Sequence, residues 1–109
     1  MSRRIMYLLS ENGLPDGCIA IETNRSIETV TYQVSVLNPR DRFNRAVARQ
    51  LAIGRLIEEP LKTSVSKDAT MHDITETVMR DMLKYKDVPA RAIKAAKIWI
   101  RQNGISTIN

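Results

Sequence analysis

Residues 29–36, TVTYQVSV, alternate without a break between two sets of side chains. Val30, Tyr32, Val34 and Val36 project to one side and Thr31, Gln33 and Ser35 to the other, the period of two that marks a half-buried strand. Immediately afterwards the pattern changes. NPRDRFNRAVARQLAIGRL, residues 38–56, repeats its apolar positions at helical spacing. A chain that switches period this sharply needs a sheet and a helix to bury each other, so the fold class expected is α+β.

Two shorter apolar runs precede that strand. RIMYLLS (4–10) and CIAIET (18–23) are separated by Asn12-Gly13 and Pro15-Asp16-Gly17, residues that favour tight turns, and NRSIE supplies a second hairpin connection. The expected sheet is a three-stranded antiparallel β-meander over about residues 4–36, with one face packed and the other in solvent.

Three helices should follow. Asn38 suits an N-cap, Pro39 the first helical position and Asp41 the positive end of the dipole, which predicts a helix over 39–58. On a helical wheel Phe43, Ala46, Val47, Leu51, Gly54 and Ile57 form its apolar side. Arg42, Arg45 and Arg49 form a stripe about 60° wide beside it. Residues 60–70, around LKTSVSKDA, read as a polar loop and as the place of greatest mobility. Thr70 with Asp73 gives a capping-box signal for a helix over 71–85 that buries Met71, Ile74, Val78, Met82 and Tyr85. After KDVP, with Asp87 as cap and Pro89 in the first turn, a third helix over 88–103 buries Ala92, Ile93, Ala96, Trp99 and Ile100 and stops at Asn103-Gly104. The order is βββααα in a single domain, residues 1–109.

Charge narrows the function. Seventeen Lys and Arg against twelve Asp and Glu give a net charge of +5, a balance that favours acidic partners. Five arginines, Arg40, Arg42, Arg45, Arg49 and Arg55, face one aspartate within residues 38–56. The guanidinium fork matches phosphate or carboxylate, and spacing of three to four residues aims successive side chains the same way. A basic solvent face alone would explain such a helix. Lysine would serve solubility equally well, however, and this stretch contains none. Lys94, Lys97 and Arg101 on the third helix, with Arg91 beside them, make a second basic face. The short turn between the second and third helices invites a helix-turn-helix reading, which its proline weakens. The expected partner is DNA or RNA, or an acidic protein surface, and the predicted binding residues are Arg40, Arg42, Arg45, Arg49, Arg55, Lys94, Lys97 and Arg101.

Catalysis is not expected. His72 is the only histidine and reads as an exposed first-turn residue without further metal ligands at suitable spacing. Cys18 is the only cysteine, which excludes an internal disulfide and fits a cytoplasmic protein. There is no glycine-rich phosphate loop, nucleophile elbow or paired-carboxylate motif, so neither cofactor nor metal is predicted. Trp99 lies in an apolar stripe and reads as a core anchor, while Tyr7 and Tyr32 fit either buried positions or an open sheet face that stacks bases. No apolar run approaches the roughly 20 residues that cross a bilayer.

The run YQVSVLNPRDRFNRAVARQLAIGRL, strand into arginine-rich helix, resembles segments of small accessory proteins of bacteriophages. The resemblance implies a short, basic, cytoplasmic protein that acts by binding, either as a nucleic-acid-binding regulatory factor or as an inhibitor or anti-defence factor docking on a host protein. It transfers no site residue. A homodimer formed through a sheet edge is compatible with both readings.

Overall fold

The alternating segment is the centre of the sheet. In the computed structural model, which describes residues 2–36, 42 and 44–103, TVTYQVSV forms β3 (Thr29–Val36). It pairs antiparallel with β2 (Pro15–Asn24), which pairs antiparallel with β1 (Ser2–Leu9). The β1–β2 turn closes as expected at the Asn12-Gly13 pair: Gly13 has φ 77°, and its N–H donates to the Ser10 carbonyl at 2.9 Å. The β2–β3 connection is a short 3-10 turn, Arg25–Ile27, followed by Glu28 in the left-handed region at φ 52°.

The sheet has four strands rather than three. Residues expected to form a loop contain β4 (Leu61–Ser64), which adds antiparallel to β3 with Leu61 opposite Tyr32 and Ser64 opposite Thr29. Four residues with one large apolar side chain show too little periodicity to reveal a strand in isolation. The segment after β4 is also tied down. Arg25 Nη1 donates to the carbonyls of Lys67 at 3.0 Å and Ala69 at 2.6 Å, and the Val65 N–H donates to the Glu28 carbonyl.

Helices cover both faces, which corrects the expectation of one solvated side. α2 (Met71–Met82) and α3 (Ala90–Asn103) pack on the face built from Leu8, Ile19, Ile21, Val30, Tyr32 and Val34. α1 (Arg45–Glu58) packs on the other, through Ala48, Ala52 and Leu56 against Cys18 and Ala20. Two polar residues of β3, Gln33 and Ser35, are buried under α1 and hydrogen-bonded there. Ser35 Oγ donates to the Ala48 carbonyl at 2.8 Å, and Gln33 Nε2 donates to the Glu59 carbonyl at 2.7 Å. Alternation of polar and apolar residues suggested solvent; hydrogen bonding to helix carbonyls gives the same polar residues a buried role.

α1 begins later than expected. Its cap is Asn44, whose side-chain oxygen accepts from the Val47 N–H at 3.2 Å, so the helix runs from Arg45 and Arg42 precedes it. Asn38, Pro39 and Asp41, on which the earlier start rested, lie outside the described residues, as do Phe43 and Arg40. The buried stripe also differs. Val47, Leu51 and Ile57 are exposed, and Ala48, Ala52 and Leu56 are buried in their place. The sheet beneath offers Cys18, Ala20 and Ser35, a close-fitting surface that takes alanine at the point of contact.

The remaining helices follow expectation more closely. Thr70 and Asp73 form a reciprocal capping box, each side chain accepting from the other residue's N–H at 3.1 Å. α2 stops at Met82 rather than 85, with Tyr85 in the following turn and still packed on the core. Met71, expected to be buried, is exposed at the first turn. α3 starts at Ala90, two residues after the expected start at Val88, and it buries Ala92, Ala95, Ala96, Ile98 and Ile100, with Ile93 and Trp99 half-buried.

Candidate nucleic-acid or acidic-partner interface

The predicted basic residues do not share one surface. The sheet separates α1 from α3, so Arg45 and Arg49 belong to one side of the molecule and Lys94, Lys97 and Arg101 to the other, while Arg42 is exposed ahead of α1. On α1, the small residues that seat the helix on β2 and β3 leave Arg45 and Arg49 on its exposed flank, one turn apart. Arg45 extends toward β1, its guanidinium carbon 5.2 Å from the centroid of the Tyr7 ring, within the range of a cation–π contact. Ile5 and Tyr7 of β1 are only partly covered there. Arg55 turns inward instead, its Nη1 donating to the Val34 carbonyl at 3.0 Å, and so ties the helix to β3.

Among the described residues, pairing separates Arg42, Arg45 and Arg49, and with them Arg101, from the other arginines. Arg3 is ion-paired with Glu22 at 2.8 Å, Arg80 with Glu76 at 2.9 Å and Arg91 with Asp16 at 2.6 Å. Arg4 donates to Thr75 Oγ1, and Arg25 and Arg55 donate to backbone carbonyls. Among the described residues, Arg42, Arg45 and Arg49 have no carboxylate within ion-pairing distance.

The α3 face is different in kind. Lys94 sits 3.4 Å from Glu11, and Lys84 sits 3.8 Å from Asp81. Together with Lys86 and Lys97 they rim an open groove of about 570 Å³ floored by Leu83, Tyr85, Val88 and Ile93. Sequence periodicity gave no sign of this groove, because half of its wall comes from the irregular turn between α2 and α3. Arg101 is exposed near the end of α3 and does not line it.

Cys18 is fully buried, and burial pushes its thiol up from the ordinary value against the opposing pull of the Arg49 charge. His72, expected to be exposed, is half-buried against Trp99, with ring centroids 5.4 Å apart, and its Nε2 lies 3.6 Å from Glu76 Oε1. Among the described residues no three His, Cys, Asp or Glu side chains gather into a possible metal site, and no helix is long and apolar enough to cross a membrane.

Among the described residues these features make a layered α+β fold with a four-stranded antiparallel sheet and three α-helices. Compared with known proteins, the chain matches no family model, no curated protein and no solved structure.

Proposed function

We propose that this protein is a small, non-catalytic nucleic-acid-binding accessory or regulatory factor, of the kind encoded by bacteriophages, that holds phosphate with Arg42, Arg45 and Arg49. The observation that carries this reading is the absence of any carboxylate partner for these three among the described residues, in a chain whose Arg3, Arg80 and Arg91 are all ion-paired. Exposed guanidinium groups with no carboxylate partner among the described residues keep N–H donors for phosphate oxygens. The half-covered Tyr7 beside Arg45 adds an aromatic surface of the type that stacks on unpaired bases. Anisotropy of labelled single-stranded DNA, duplex DNA and RNA, titrated across salt, tests it. Binding should weaken steeply as salt rises and should be lost in the Arg42→Ala/Arg45→Ala/Arg49→Ala variant; retention in that variant would refute the assignment.

A specific observation also favours a protein partner, as for an inhibitor of a host factor. Val47, Leu51 and Ile57 on α1 are 42%, 47% and 70% exposed, and apolar side chains next to arginine are the composition of protein interfaces. Substituting Val47→Asp and Leu51→Asp separates the readings, since protein docking is sensitive to these positions and phosphate contact by the arginine flank much less so.

A further inference from the structure

Among the described residues β1 is an edge strand, and it is the long edge of the sheet, eight residues against four for β4. Every second residue along such a strand directs its N–H and C=O away from the sheet, a ready template for another extended chain. Along its C-terminal half this edge opens onto an apolar pocket of about 260 Å³. Four consecutive β1 residues, Met6 to Leu9, border the pocket, so it runs along the strand's edge as well as beneath it. Met79 of α2 and Ala95, Ile98 and Trp99 of α3 form the rest of its apolar wall. The opposite face of the same edge is basic, because Arg45 reaches over Tyr7.

A strand laid along β1 would send alternate side chains to these two faces. Those next to Met6 and Leu8 would enter the apolar pocket, and those next to Tyr7 would meet the Arg45 guanidinium. We infer that β1 is a docking site for an extended segment of a partner protein that alternates apolar with acidic residues. Main-chain bonds to the edge supply affinity, and the pocket and Arg45 supply selection. The site shares Arg45 and Tyr7 with the proposed phosphate-binding surface, but the pocket and the main-chain edge of β1 are its own, and peptide binding there does not depend on nucleic-acid binding.

Trp99 is the only tryptophan and lines the pocket, so its emission reports occupation. The probe is a capped peptide as long as β1, eight residues, alternating valine with glutamate and titrated against the full chain. The expected result is a saturable shift of Trp99 emission that a composition-matched peptide with its valines and glutamates in separate blocks does not produce. N-methylation of every second peptide amide should weaken binding at least about tenfold in one register and little in the other, because only one set of amides faces β1. Arg45→Glu, at an exposed position, should reverse the preference between the glutamate peptide and its lysine counterpart.

Equal binding of the two N-methylated registers would overturn the inference. So would an emission shift evoked by oligonucleotide and not by peptide. Sedimentation showing that the protein alone is a dimer, with the β1 amides protected from hydrogen exchange, would overturn it in favour of a second copy of this chain.

Discussion

The Tyr32 hydroxyl donates to Asp81 Oδ2 at 2.6 Å across the buried interface between β3 and α2. Both residues are buried, Tyr32 fully and Asp81 to 6% exposure. A carboxylate in that position depends on the phenol for a partner, since Lys84 reaches it only at 3.8 Å from the surface. Tyr32→Phe should therefore destabilise the fold by about 1–3 kcal/mol, the effect of stranding a buried acceptor. Urea unfolding measures it. A change below about 0.5 kcal/mol would mean that water reaches Asp81 and replaces the phenol.

The same pair sets the behaviour at high pH. Burial, followed by the hydrogen bond to Asp81, pushes the Tyr32 phenol far above its ordinary value of 10.0, and burial raises Cys18 above 9.0. Their folded-state pKa values exceed the unfolded ones, so the folded chain retains protons that the unfolded chain releases. Stability is fully present below pH 9 and falls as pH rises through 9 and 10. The slope should approach about 1.4 kcal/mol per pH unit for each group. Unfolding free energies at a series of pH values from neutral upward check this, with Tyr32→Phe and Cys18→Ala each expected to flatten the decline.

Two glycines should respond in opposite directions to alanine. At Gly17 on β2 an added Cβ would collide with the Ser35 carbonyl oxygen and lie 3.0 Å from Val36 Cγ1, both on the neighbouring strand. Gly17→Ala should destabilise by about 1–3 kcal/mol by forcing β2 and β3 apart. Gly54, inside α1, has nothing within 4 Å of such an atom, so Gly54→Ala should stabilise by about 0.5–1 kcal/mol through helix propensity. Thermal unfolding of both variants decides the matter, and a stabilising Gly17→Ala would contradict the register of this strand pair.

Legibility varied with the physics behind each signal. The β3 alternation, the Gly13 turn and the Thr70 capping box are local devices, and each formed where its residues predicted. The coverage of the sheet is not local. Gln33 and Ser35 carry the polarity of solvent-facing residues, yet they bond to carbonyls of the chain at Glu59 and Ala48. No pattern within the strand encodes a distant helix end. The wheel of α1 was misleading for a related reason: it weighed hydrophobicity, which favours Val47 and Leu51, whereas close packing on Cys18 and Ala20 selected the smaller Ala48 and Ala52. At the candidate site, the alignment of Arg45 with Arg49 followed from spacing alone. The inward turn of Arg55 and the separation of α1 from α3 required the sheet to be in place.

That separation makes the two basic clusters independently testable. Because the sheet lies between α1 and α3, a short oligonucleotide held at Arg45 and Arg49 should be out of reach of Lys94, Lys97 and Arg101. Alanine substitution of the α1 set should remove phosphate contacts and reduce the dependence of log affinity on log salt by about 0.7 per contact for a single strand. Substitution of the α3 set lowers the net charge equally, by three, from +5 to +2, and should produce only the smaller, general loss that reduced long-range attraction causes. Anisotropy at several salt concentrations separates the two, since a lost contact changes the slope and a change in general field mainly shifts the line. Equal slopes in the two variants would mean that net charge, and not the arginine flank of α1, accounts for binding. A larger change from the α3 set would move the interface to the lysine-rimmed groove.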